Sequence, residues 1–366
     1  MGFNCGIIGL PNVGKSTIYN ALTAAGAAVA NYPFCTIEPN VGTVTVPDDR
    51  LDSIARIVKP RKCTPTVMEF VDIAGLVKGA SKGEGLGNKF LGHIRDVDAI
   101  VHVVRCFDDP NVSHVHGIVD PAGDIATVVT ELILADLETV ERRRQKAERQ
   151  AKVGDKSMFR ELEALVVMEE VLARGVSART VPQDDIMPEL RRDLNLLTDK
   201  KVLYVANVSE DMLRGSGRVD CIAAVETAAE AEGSAMVVLC GDLEAEIVLL
   251  PPDEQQVFLE DLGLRESGLL NLIRTGYELL SLITFYTTVG TELRAWTLKA
   301  GTTALKAAGK IHSDMERGFI RAEVLSYDDF SASGGIVEAR DRGLVRIEGR
   351  DYEITDGDIV HFRFNV

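Results

Sequence analysis

With 366 residues, 46% of them hydrophobic, the chain is too long for one small core and too apolar to remain unfolded, so two or three domains are expected. A net charge of −16, from 56 acidic against 40 basic residues, excludes indiscriminate nucleic-acid binding, which needs broad positive surface. No apolar run approaches the roughly 18 residues of a membrane span, the chain enters a strand pattern at once without a leader, and the six cysteines (Cys5, Cys35, Cys63, Cys106, Cys221 and Cys240) form no C-x-x-C pair; a cytoplasmic protein without disulfide or zinc is expected.

The first predicted element is a strand over residues 5–8. It runs into G-L-P-N-V-G-K-S-T at 9–17, and a helical pattern follows. Strand, glycine-rich turn and helix start around G-x-x-x-x-G-K-[ST] describe a phosphate-binding loop, whose inward amides and helix N-terminus attract phosphate oxygens. Asn12, Val13, Gly14, Lys15, Ser16 and Thr17 are the expected nucleotide contacts, with Lys15 on the outer phosphates and Ser16 on magnesium. An asparagine at position 12 also resembles P-loops of cation-activated relatives, where it helps hold potassium; loop capping explains it equally well.

Residues 31–40, N-Y-P-F-C-T-I-E-P-N, have the place of a first switch. Thr36 is the candidate magnesium ligand there, because Thr23 falls on the preceding helix while Thr43 and Thr45 alternate with valines as in a strand. Cys35 is a thiol whose oxidation would bear on that switch, or simply a small residue. A strand over 67–72 ends in Asp72 and continues as D-x-x-G through Gly75, which makes Asp72 the expected carboxylate of the magnesium shell. The glycines at 79, 83, 85 and 87 suit a second switch or a plain loop. Leu76 stands where Ras-like enzymes carry the water-positioning glutamine, so another group must do that work. The candidate is His114, in a polar loop after a strand over 99–105; the alternative is a histidine that only satisfies loop backbone groups. His102 alternates with valines and reads as a strand residue.

Residues 125–152 and 158–174 have helical periodicity, broken at Gly154, and predict two long antiparallel, coiled-coil-like helices inserted into the nucleotide domain. The run from Arg142 to Lys152 is dense in positive charge, either a solvated helix face or an RNA-facing patch. A strand over 201–206 then leads to N-V-S-E at 207–210. GTPases read guanine here with N-K-x-D; Val208 replaces the lysine and Glu210 the aspartate, which weakens guanine and favours adenine, read by Asn207 or the Val208 carbonyl. A strand over 235–239 ends at Cys240 and Gly241, a further backbone contact to the base, and a helix is expected over 261–275. From 281 the pattern becomes short strands (282–287, 292–298, 345–347, 352–354, 360–364), an acidic turn at 327–329 and one short helix, which suits a small β-grasp module.

These motifs, together with D-I-A-G-L-V-K-G-A-S at 72–81, R-A-W-T-L at 294–298, G-K-I-H-S-D at 309–314, G-F-I-R-A-E at 318–323 and H-F-R-F-N-V at 361–366, resemble the Obg-like ATPases of the YchF type over essentially the whole chain. The resemblance implies an α/β P-loop G-domain over 1–124 and 198–280, a helical insertion over 125–197 and a C-terminal β-grasp TGS domain over 281–366. It further implies a slow, magnesium-dependent ATPase switch that associates with the ribosome, with His114 as the catalytic residue and Asn207, Val208 and Glu210 on the base side. A nucleotide-gated regulator with incidental hydrolysis, and a true GTPase, remain as alternatives.

Overall fold

The computed structural model describes residues 3–26, 40–73, 86–115, 117–152, 158–216 and 219–365. Thr36, Cys35, Gly75, Leu76 and most of the glycine-rich stretch after Asp72 lie outside the described residues. In chain order the strands are β1 (Asn4–Ile8), β2 (Val41–Thr45), β3 (Lys62–Thr64), β4 (Val67–Asp72), β5 (Ala99–Arg105), β6 (Lys201–Asn207), β7 (Ala235–Leu239), β8 (Leu282–Val289), β9 (Glu292–Lys299), β10 (Phe319–Leu325), β11 (Arg346–Glu348) and β12 (Ile359–Phe364). The helices that matter below are α1 (Lys15–Gly26), α2 (Asp49–Val58), α3 (Leu86–Asp96), α4 (Pro121–Lys152) and α5 (Met158–Ala173); the others are given by their ranges.

The chain divides into two units, 1–44 with 69–276 and 45–68 with 277–366. The first is built on a six-stranded sheet of order β2-β4-β1-β5-β6-β7. Its pairs β1–β4, β1–β5, β5–β6 and β6–β7 are parallel. A parallel sheet is covered on both faces, which is why β5 is buried along its whole length and β6 at every residue after Lys201. Register decides what meets at the carboxyl ends of the strands: Ile7 lies opposite Asp72, Ile8 opposite His102, and Arg105 opposite Asn207. In open α/β sheets that edge is where ligands bind.

The expected helical pair is present as α4 and α5. At 32 residues, α4 spans about 48 Å. Val140 and Ala147 of α4 pack with Ala164, Leu165, Met168 and Leu172 of α5. Two ion pairs cross between them, Arg143–Glu161 at 2.6 Å and Arg144–Glu169 at 2.8 Å. Asp136, fully buried on α4, accepts the backbone N–H groups of Leu197 and Thr198 at 2.8 Å each and so ties the hairpin to the approach to β6. Among the described residues no helix is long and apolar enough to cross a membrane.

The second unit carries a six-stranded sheet of order β11-β10-β12-β8-β9-β3. β8–β9 and β10–β12 are antiparallel, β12–β8 and β3–β9 parallel. Its core includes Leu51 and Ile54 of α2, packed with Tyr286, Leu293 and Phe330. The Tyr286 hydroxyl donates to Asp48 at 2.5 Å, and Arg50 pairs with Asp356 at 2.7 Å. Residues 45–68 thus join the C-terminal module, whereas the resemblance places them inside one domain that includes 1–124.

Several local expectations are corrected. The acidic turn at 327–329 is the first turn of a helix, Tyr327–Ser333: Ser326 caps it by accepting the Asp329 N–H at 3.1 Å, and Asp328 and Asp329 favour the positive end of the helix dipole. Residues 352–354 make a single bridge, Thr303 to Glu353, in place of a strand. β10 was not expected. The module holds four helices rather than one: Ala304–Ile311, Ser313–Arg317, Tyr327–Ser333 and Ile336–Asp341. The helix expected over 261–275 is two, Pro252–Asp261 and Gly268–Leu279; Gly263, at φ 71°, follows the first, and Glu244 accepts the Gly268 N–H at 2.6 Å to open the second.

Candidate nucleotide-binding site

The glycine-rich turn sits between β1 and α1. Gly14 has φ 94°, and a Cβ there would run into the Asn207 amide nitrogen, so only glycine allows this approach. The Ile18 N–H donates to the Gly14 carbonyl at 3.0 Å and closes the first turn of α1. The N–H groups of that first turn have no partner inside the helix and make its end attractive to anions. Lys15 is the first helical residue and is buried, with Nζ donating to the Leu10 carbonyl at 2.7 Å. Burial pulls its pKa down to about 8 against the opposing pull of Asp72. Ser16 Oγ lies 3.5 Å from Asp72 Oδ2. A hydroxyl and a carboxylate at this spacing are hard oxygen donors of the kind magnesium takes. Among the described residues no group of three or more His, Cys, Asp and Glu side chains could hold a metal ion alone; such a pair would share its ion with phosphate oxygens.

On the other side, Asn207 braces the phosphate loop. It is 4% exposed, donates from Nδ2 to the Val13 carbonyl at 2.9 Å, and accepts the Gly241 N–H on Oδ1 at 2.9 Å. One amide N–H and the carbonyl oxygen thus hold the P-loop against the strand-end loops. Gly241, expected as a base contact, has its N–H engaged in the same way. Val208 is buried, its N–H on the Leu239 carbonyl at 2.9 Å. Val208, Ser209, Glu210, Cys240 and Leu243 line a cavity of about 300 Å³ together with Phe107 and Pro110. Asp108, Asp109, Asp242 and Glu246 also line it, so the cavity is rich in acceptors and suits ligands that bring hydrogen-bond donors. The Glu210 carboxylate is half exposed and pairs with Arg214 at 2.7 Å.

His114 Nε2 lies 2.9 Å from Asp124 Oδ2, and both side chains are buried. A carboxylate partner fixes the tautomer and orientation of an imidazole, as in water-activating sites. Asp124 lies in the first turn of α4, so the base of the helical hairpin carries the residue that holds His114. His102 is a buried strand residue, as expected, and burial with Arg179 and Lys15 nearby lowers its pKa to about 3, which keeps it neutral. Sequence reasoning missed Arg105. This buried guanidinium donates to the carbonyls of Asn12, Phe107, Asp109 and Val112. The signal for it was an arginine ending a fully buried strand, Ala99–Arg105. In the basic run, Arg143 and Arg144 are engaged inside the hairpin, while Arg142, Lys146, Arg149 and Lys152 are exposed. Thr36 lies outside the described residues.

A family model described as 50S ribosome-binding GTPase matches residues 4–131, and the YchF-GTPase C-terminal model, described as a protein of unknown function (DUF933), matches residues 282–365. The chain is 53% identical over 366 residues to the protein named ribosome-binding ATPase YchF from Bacillus subtilis (strain 168), and 51% identical over 369 residues to that from Escherichia coli O157:H7, with 100% of each chain covered. The solved structure of the Schizosaccharomyces pombe YchF GTPase is 34% identical and superposes with a TM-score of 0.89, covering 99% of this chain and 98% of that one. The fold is therefore a P-loop GTPase-type α/β domain with a helical insert and a separate C-terminal module. Full-length identity at this level, on top of the phosphate loop and strand-end geometry, leaves one assignment: the chain belongs to the YchF family of P-loop NTPases.

Proposed function

We propose that this chain is a magnesium-dependent ATP hydrolase of low intrinsic rate that works as a nucleotide-driven switch on the ribosome. The observation that carries the base preference is Glu210 at the guanine-reading position, in an acceptor-rich cavity beside the phosphate loop. Guanine needs an aspartate here for its N1–H and amine, and Glu210, longer and paired with Arg214, does not supply it in that place; adenine presents an amine where guanine presents a carbonyl, so a backbone carbonyl such as that of Val208 favours adenine there. The relatives' names differ on this point: the bacterial proteins are called ATPases and the yeast protein a GTPase. Lys15 and the amides of 12–17 would hold the triphosphate; Ser16, Asp72 and Thr36 would hold magnesium, which neutralises developing charge on the phosphates. His114, oriented by Asp124, would position water in place of the glutamine replaced by Leu76. A potassium ion near the phosphates would have to use the Asn12 amide oxygen, since the nitrogen end donates to the Ser113 carbonyl at 3.1 Å.

The functional layout follows the family reading: a nucleotide domain over 1–124 and 198–280, the helical insertion over 125–197 and a TGS-type module from 281 to 366, with residues 45–68 packed into the last. Ribosome association, and with it a cytoplasmic location, is supported by the relatives' names. RNA contact would run through the exposed face of Arg142, Lys146, Arg149 and Lys152. The second reading, a nucleotide-gated binder with incidental hydrolysis, is favoured by Leu76. Paired ATP and GTP titrations with turnover measured with and without ribosomes test both. Tighter ATP than GTP binding and ribosome-stimulated turnover are expected. Tighter GTP binding refutes the base assignment, and turnover that ribosomes leave unchanged favours the second reading.

A further inference from the structure

We propose that Arg105 is a positioning residue that locks the 107–114 loop onto the phosphate loop, so that His114 and the phosphate cradle move as one body. The inference rests on the reading of His114 as the water-positioning group. Arg105 ends β5 at 2% exposure. Its Nε donates to the Phe107 carbonyl at 3.0 Å, one terminal nitrogen to Asn12 at 3.4 Å, and the other to Asp109 at 3.4 Å and Val112 at 3.0 Å. The guanidinium also lies 4.5 Å from the centre of the Phe107 ring. A rigid planar fork can address several carbonyls at once in fixed directions; a lysine ammonium on its flexible stem cannot.

Three of those carbonyls belong to the loop that ends in His114, and the fourth belongs to the phosphate loop. A second link joins the two loops, the Asn12 side chain on the Ser113 carbonyl, but it lies at an exposed position where water competes for both groups. The phosphate loop has independent support: Asn207 holds Val13, and Lys15 holds Leu10. Loss of the fork should therefore loosen the His114 side and spare the cradle. In kinetic terms kcat falls while KM for ATP stays near its original value.

Arg105→Lys in the full chain tests this, because it keeps the buried charge and removes the fork. Misplacing a reacting group by about 1 Å costs up to roughly a hundredfold, so kcat should fall about ten- to a hundredfold, with KM within about threefold. Amide exchange should rise over residues 107–114 and stay unchanged in β6. Combined with His114→Ala, Arg105→Lys should slow turnover no further, because its effect passes through His114. An equal further slowing in the His114→Ala background overturns the proposal. So does unchanged exchange over 107–114, or exchange raised equally in β6, which marks general destabilisation. If His114→Ala alone keeps full turnover, the water-positioning role of His114 fails, and the lock is then judged by exchange alone: raised only over 107–114 it stands, otherwise it falls.

Discussion

Replacing Asn207 by alanine should loosen the phosphate loop without touching a phosphate contact. The Asn207 carboxamide is buried and bridges two segments far apart in sequence, the Val13 carbonyl and the Gly241 N–H, each at 2.9 Å. Alanine leaves the Gly241 N–H, on a buried residue, without its acceptor, at a cost of ~1–3 kcal/mol. The Val13 carbonyl loses its donor as well, and the vacated volume adds a cavity cost, for a total of ~2–4 kcal/mol. Chemical denaturation reads this as a lower midpoint at unchanged slope. The consequence for ligand is separate. A phosphate loop no longer braced at Val13 must be ordered on binding, at ~1–2 kcal/mol for one residue's backbone, which weakens ATP about 5- to 30-fold. Asn207→Asp is the sharper probe, because it keeps an acceptor for Gly241 and sets a carboxylate oxygen against the Val13 carbonyl. An Asn207→Ala protein with unchanged denaturation midpoint and unchanged ATP affinity would refute the clamp.

The other predictions concern charge. Lys15 has its pKa lowered to about 8, so it is charged below that pH and neutral above it; pairing with phosphate then requires uptake of a proton. ATP affinity should hold steady up to about pH 8 and fall by up to about tenfold per unit beyond, where each binding event takes up one proton. A flat affinity between pH 7 and 9.5 in calorimetric titrations would mean that Lys15 is charged throughout. For the basic helix, Gln at Arg142, Lys146, Arg149 and Lys152 should weaken ribosome association and lower its salt slope by roughly one for each phosphate no longer neutralised, leaving ATP affinity intact. Gln at Arg143 and Arg144 should instead destabilise the hairpin, since those side chains hold Glu161 and Glu169. Equal salt slopes for the exposed-face variant and the parent would make that face a merely solvated one.

The phosphate loop, Asp72 and the strand pattern of the first unit were legible because their signals are local. A strand, a tight glycine turn and a helix start lie within about 20 residues, and the chemistry depends on backbone angles and amide directions that short spacing dictates. The hairpin α4–α5 was legible for the same reason, since helical periodicity names the buried face of each partner. What the pattern does not state is which distant group a buried donor or acceptor will meet. Asn207 sits in a base-reading motif, yet the β5–β6 register and the absence of a side chain at Gly14 bring its amide to Val13. Arg105 looked like the end of a buried strand until the folded loop returned its carbonyls around the guanidinium. Arg143 and Arg144 counted as surface charge until α5 supplied their carboxylates. Residues 45–68 read as part of the first domain, but Leu51 and Ile54 bury against the C-terminal module, and β3 pairs with β9, more than two hundred residues away in sequence. Local chemistry is written in adjacent residues; the satisfaction of buried polar groups and the choice of sheet partner arise only when the chain closes over long distances, where register and packing decide.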